Sequence, residues 1–176
     1  MAFRFLHTAD LHLDSPLKSL ALRDPDLKAL IGAATRKAFQ RMVDVCLAEQ
    51  VDAFVIAGDL YDGDLKSMAT GLFLGRELKR LSDAGIRTFL IRGNHDARSV
   101  VTRELEWPAL VHVFDHRGAP VVLNDGAVAV HGISFSTPDA PESLLPKFKP
   151  PVQGAYNIGL LHTSLGGSPG HDVYSP

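Results

Sequence analysis

Ala53-Phe54-Val55-Ile56-Ala57-Gly58-Asp59 decides the fold. Five apolar residues run without a polar interruption and stop at a glycine followed by an aspartate. The run is too short for a helix and apolar on both faces, as a buried strand of a parallel sheet must be. Upstream, Phe39, Met42, Val43 and Cys46 recur at i, i+3, i+4 and i+7, which predicts an amphipathic helix over residues 33–49. Downstream, Leu74, Leu78 and Leu81 mark a second helix stopped at Gly85. Residues 88–91 read as a strand ended by Arg92-Gly93, and residues 3–9 as the first strand. A loop over 10–25 follows that strand, with Pro16 and Pro25 as breakers. Strand, helix, strand, helix, strand in that order predicts an α/β sheet with parallel strands.

The second half changes character. Residues 121–123, 128–131 and 157–161 read as short strands, expected to be antiparallel, and Asn124-Asp125-Gly126 is a hairpin turn signal. Pro138, Pro141, Pro146, Pro150 and Pro151 make 136–151 a long surface loop.

In such a sheet, ligands bind beyond the carboxyl ends of the strands. Four motifs sit there: Asp10-Leu11-His12, Gly58-Asp59, Gly93-Asn94-His95-Asp96 and His162. Asp10 and His12, two apart just past a strand, can aim at one ion. Gly58 allows a sharp turn that brings Asp59 close, and a carboxylate has two oxygens with which to bridge two cations. Asn94 offers a carbonyl oxygen and His162 a ring nitrogen. Mixed nitrogen and oxygen donors suit manganese, iron or zinc better than calcium. Two such ions about 3.5–4 Å apart can clamp a phosphate and activate a water. His95 is free to face the substrate instead, as a proton donor or a stabiliser of charge on phosphorus, with Asp96 orienting its ring.

The remaining candidates have blander readings. His162 alone fits a buried strand-end histidine as well as a ligand. His7 is expected to be packed or hydrogen-bonded in the first strand, His112 and His116 to be surface residues, and His131 to be structural. Arg98 and Arg103 read either as phosphate contacts or as a solvated helix face.

Composition sets the frame. The chain has 176 residues, 45% hydrophobic and 22% charged, enough for one domain with a real core. A net charge of -2 argues against a basic nucleic-acid-coating protein. It leaves a metal-dependent nuclease open, because bound ions supply their own positive charge. The single Cys46 excludes an intrachain disulfide framework and reads as an inert core thiol. The apolar N-terminus is too short for a signal peptide or a span, so a cytoplasmic location with no membrane partner is expected.

The four motifs in order resemble those of the calcineurin-like metallophosphoesterases. Leu6-His7-Thr8-Ala9-Asp10-Leu11-His12-Leu13-Asp14-Ser15-Pro16 narrows the resemblance to the SbcD-type DNA repair exonucleases, in their YhaO-like branch. Gly58-Asp59-Leu60-Tyr61-Asp62 resembles the second family motif, Gly93-Asn94-His95-Asp96 the third and Leu160-Leu161-His162 the fourth. The resemblance implies an αββα sandwich over residues 1–176 as a single domain. It implies Asp10 and His12 on one metal, Asp59 bridging, Asn94 and His162 on the other, and His95 as the catalytic histidine. Asp96, Asp62 and Asp14 are expected to support these residues from behind. Nucleases of this type use manganese, cut DNA and work beside an SMC-like ATPase; a homodimer is a further expected partner state. A phosphatase, a nucleotide phosphodiesterase and an inactive metal-binding scaffold are the alternatives. Two features depart from the family pattern. Asp62 stands where many such nucleases have histidine. The closing Gly-His-x-His motif is missing, since Gly170-His171-Asp172-Val173 lacks the second histidine, so the chain is expected to be incomplete at its C-terminus.

Overall fold

A computed structural model of the chain describes residues 2–15, 25–61, 67–98 and 105–164. The elements are β1 (Phe5–Thr8), α1 (Pro25–Glu49), β2 (Ala53–Ala57), α2 (Met68–Asp83), β3 (Arg87–Ile91), β4 (Val111–Val113), β5 (Val121–Leu123), β6 (Val128–Ile133) and β7 (Tyr156–Leu161).

The unbroken apolar run of β2 follows from its position. It is the second strand of an all-parallel sheet ordered β1-β2-β3-β4, paired on both edges and buried on both faces. Phe54 and Ile56 join Phe39, Val43 and Cys46 of α1 and Leu74, Leu78 and Leu81 of α2 in one core. Ala53, Val55 and Ala57 turn the other way, towards a second sheet ordered β5-β6-β7. Helix α1 starts earlier than its apolar period indicates. Pro25, expected to break structure, is instead its first residue, where a missing N–H costs nothing. β4 is a three-residue strand that its length hides in the sequence.

β5 and β6 form the expected antiparallel hairpin, with Asn124 and Asp125 at φ 52° in its turn. β7 departs from the expectation: it runs parallel to β6 from Val128↔Tyr156 to Ile133↔Leu161. The segment between them is long enough to carry the chain back to the start of β6, as a parallel pair requires. That segment is more than surface loop. Ala140, Leu144 and Phe148 pack with Ile133 and Phe135 in a small core. Among the described residues the layers are helices, sheet, sheet. On the far side of the second sheet, Ile133 and Leu161 pack with this segment, which includes the short turn Leu145–Lys147. No helix among the described residues is long and apolar enough to cross a membrane.

The two sheets come close together at Gly132. A Cβ there would lie 2.3 Å from Phe114 Cδ2 and 2.8 Å from Ile91 Cγ2. Gly132→Ala is expected to cost about 3 kcal/mol, because neither ring nor strand can yield. Gly75→Ala, inside α2 where a Cβ would meet, among the described residues, only a Leu105 methyl at 4.0 Å, is expected to gain about 0.5–1 kcal/mol. Urea denaturation of both variants checks the pair. Cys46 is fully buried, and that burial pushes its thiol up to about 11. Thiol reagents are therefore expected to label it only as fast as the native chain opens, which denaturant-dependent labelling rates measure.

Candidate metal centre

The parallel sheet delivers its strand ends to one edge, and the loops there are tied together before any side chain acts. Asp10, His12 and Leu13 donate backbone N–H groups to the carbonyls of Gly58, Asp59 and Leu60 at 3.1, 3.0 and 2.9 Å. This continues the β1–β2 pairing past the strands, but in a strained form. Among the described residues seven non-glycines have positive φ, and Asp10 (54°), His12 (41°), Asp14 (58°) and Asp59 (52°) are four of them. Such conformations cost about 1–3 kcal/mol each and persist only where surrounding contacts over-determine them.

Those contacts converge on Asp59, 4% exposed. Its Oδ2 lies 3.3 Å from His162 Nε2 and 3.8 Å from His12 Nε2. Its Oδ1 accepts the backbone N–H of His95 at 3.2 Å. Burial pushes the Asp59 carboxyl up, but His162 and the nearby His95 outweigh it and hold the group below its usual range. His162 behaves reciprocally. Burial opposes its charge, while Asp59, the Ala57 carbonyl and Asp10 raise it to about 8. The Nδ1 of His162 is 3.0 Å from the Ala57 carbonyl oxygen, so Nδ1 carries a proton in either charge state, and Nε2 faces the cluster, where loss of its own proton would open a lone pair to an ion.

Asp10, Asp59 and His162 each place a donor atom within 4.8 Å of the others, a group that could hold a metal ion. The backbone is built around this group. A Cβ on Gly58 would sit 2.7 Å from His162 Nδ1, and one on Gly93 would sit 2.1 Å from Asp59 Oδ1. Both glycines leave the room that these two side chains occupy. Two carboxylates and one imidazole nitrogen are also a donor set for a borderline divalent cation.

His12 and His95 face each other edge-on, ring centres 5.1 Å apart, and both are half-buried beside the cluster. Asn94 is buried at the turn between them and β3. Asp96, expected to orient the His95 ring, takes another part. Its oxygens accept the N–H groups of Leu60 (3.1 Å), Tyr61 (2.8 Å) and Gly93 (3.0 Å), stapling the loop after β2 to the loop after β3. Burial pushes Asp96 up to about 6 against those donors. Asp14 lies away from the cluster, paired with Arg36. His7 is exposed on edge strand β1, not packed. His112 and His116 are exposed as expected. His131 is buried, with Nε2 2.8 Å from Asn157 Oδ1. Asp62, Arg103 and His171 lie outside the described residues, as does the Arg98 side chain.

Sequence reasoning missed Phe135, whose ring meets that of His162 edge-on at 6.0 Å and walls the site on the β6 side. Only the β6–β7 register brings them together, and nothing local signals it. Asp96→Ala leaves three buried N–H groups without their acceptor, and is expected to cost about 3 kcal/mol or more. Urea denaturation of the metal-free variant checks this.

Residues 3–167 match the family model of the calcineurin-like phosphoesterases. The chain is 33% identical over 176 residues to the "uncharacterized metallophosphoesterase YhaO" of Bacillus subtilis, covering 98% of this chain and 43% of that protein. It is 30% identical over 170 residues to the "DNA double-strand break repair protein Mre11" of Sulfurisphaera tokodaii, covering 92% of this chain and 41% of that protein. The chain thus spans less than half the length of these curated relatives. A solved nuclease MPE from Pseudomonas putida aligns with a TM-score of 0.43 at 20% identity, over 88% of this chain and 59% of that one. The family match spans all four motifs from Asp10 to His162, and the chain belongs to the calcineurin-like phosphoesterases.

Proposed function

We propose that this chain carries the hydrolytic centre of a two-metal phosphodiesterase that cuts DNA, working in the cytoplasm beside an SMC-like ATPase. The observation that carries the reading is the position of Asp59. One of its oxygens is faced by His12 from the β1 side and by His162 from the β7 side. That is where a carboxylate shared between two ions belongs. Asp10 and His12 would hold one ion, Asn94 and His162 the other, with Asp59 between them. Bound divalent ions, manganese in this reading, supply Lewis acidity and lower the pKa of water towards neutrality.

The residues themselves do the rest. The buried Asp59 and His162 keep the negative pole of the site fixed, with the Ala57 carbonyl holding the His162 tautomer. His95 is tied by its own backbone N–H to Asp59, so its ring has a fixed origin beside His12. From there it donates a proton to the leaving oxygen of the cleaved ester. The DNA substrate is supported by the N-terminal resemblance and by the double-strand break repair relative.

Cleavage of single- and double-stranded DNA in manganese is the test, run beside a panel of phosphomonoesters and nucleotides. DNA cleavage that a chelator abolishes is expected. His95→Ala is expected to slow it by a factor of about 100 to 10 000 while leaving manganese binding in place. Manganese at a hundredfold excess over its Kd is expected to stabilise the unmodified protein by about 2.7 kcal/mol, and not to stabilise Asp59→Asn. Faster hydrolysis of the small esters than of DNA would move the substrate within the same family. A protein that binds manganese and cleaves nothing would be the metal-binding scaffold.

A further inference from the structure

The strained loop 10–15 is held on one side by its backbone bonds to Gly58, Asp59 and Leu60. A second anchor grips it from the helical side. Asp14 receives Arg36 as a fork, with Nε at 2.8 Å from Oδ1 and Nη2 at 2.5 Å from Oδ2. Thr70 Oγ1 donates to the same Oδ2 at 2.5 Å, and Asp14's own N–H reaches Thr35 Oγ1 at 3.3 Å. Three elements therefore meet at one carboxylate: the loop, α1 through Thr35 and Arg36, and α2 through Thr70. The Arg36 guanidinium is packed as well as paired, 5.0 Å above the Phe73 ring of α2. Thr70 is fully buried, and the Asp14 side chain is only 17% exposed. Burial would push the Asp14 carboxyl up, but Arg36 and Thr70 together hold it below its usual range.

Between Asp14 and His12 lies Leu13, fully buried in the helix-side core. Leu13 is a pivot. Turning the backbone at Asp14 turns it at His12, and both sit at positive φ. We infer that Asp14, clamped by Arg36 and Thr70, is a positioning residue that holds the His12 ring at the metal centre. The inference rests on the metal-centre reading above. It assigns work to two helix residues that touch no part of the centre. A neutral amide at position 14 keeps the shape but gives up the charge-assisted fork that resists the loop's strain.

The test uses Asp14→Asn, Thr70→Val and Arg36→Lys, each titrated with manganese by calorimetry. The histidine ring resonances of the metal-free proteins are recorded alongside. Thr70→Val removes one hydroxyl and leaves the ion pair, so it stays informative should Asp14→Asn fold poorly. Loss of a partner behind a ligand typically weakens metal binding by about 10–100-fold. That range is expected for Asp14→Asn, with smaller losses for Thr70→Val and Arg36→Lys. The His12 resonances are expected to shift and those of His131, on β6, to stay. A general loss of stability would move neither readout selectively. Unchanged manganese affinity together with unmoved His12 resonances in Asp14→Asn and Thr70→Val overturns the inference. If the unmodified protein binds no manganese, the metal-centre reading falls, and the His12 resonances still decide whether Asp14 positions the ring.

Discussion

A carboxylate with 4% of its surface exposed cannot stay ionised on its own, and the site is arranged around that fact for Asp59. Its charge is answered by imidazole nitrogen from His162 and His12 and by the backbone N–H of His95. These come from three separate strand ends, so the charge of one residue sets where three loops must go. Gly58 and Gly93 follow from the same requirement. Each stands where a side chain would displace Asp59 or its partner. Asp96, buried as deeply one loop away, meets backbone N–H groups and the Asp59 charge in place of imidazoles, and its pKa moves the opposite way. Two buried aspartates thus divide the work. One presents charge to the cleft, and the other holds the walls together.

The strain in these loops has a counterpart in their fastenings. Backbone bonds tie loop 10–13 to 58–60, Asp96 ties 60–61 to 93, and Asp14 ties the first loop to both helices. A donor set fixed in this way does not have to be ordered when a ligand arrives, which is the basis of tight and selective coordination. The arrangement also explains why so short a strand as β1 can carry the first motif. Its four residues are continued by bonds that are not strand pairing but do the same job.

Much of this was legible in the chain because it depends on short-range pattern. The apolar run at 53–57, the turn residues that end it and the helical period around Phe39 are local facts, and the parallel first half follows from them. Asp10, His12, Asp59, Asn94 and His162 could be picked out because each follows such a run. What stayed hidden depends on partners far apart in sequence. Asp14 meets Thr70 across 56 residues, and Asp96 serves amides 35 and 36 residues away. No periodicity records such pairings. The direction of β7 was illegible for the same reason. A six-residue strand reads alike in either direction, and only its register with β6 shows that it runs parallel. That direction matters to the site. An antiparallel β7 would have carried His162 to the opposite end of the sandwich, about 20 Å away at the usual rise per residue.

The closure of His162 onto the Ala57 carbonyl joins points 105 residues apart. Bringing together chain ends so distant carries a loop-closure entropy of about 4 kcal/mol. Such a contact is held only while the pairings between the intervening strands offset that cost. The cleft therefore depends on the pairing of β7 and is lost when that strand peels away. An intact cluster is therefore a sign that both sheets are in place, and a copy that has lost β7 has lost the cluster with it.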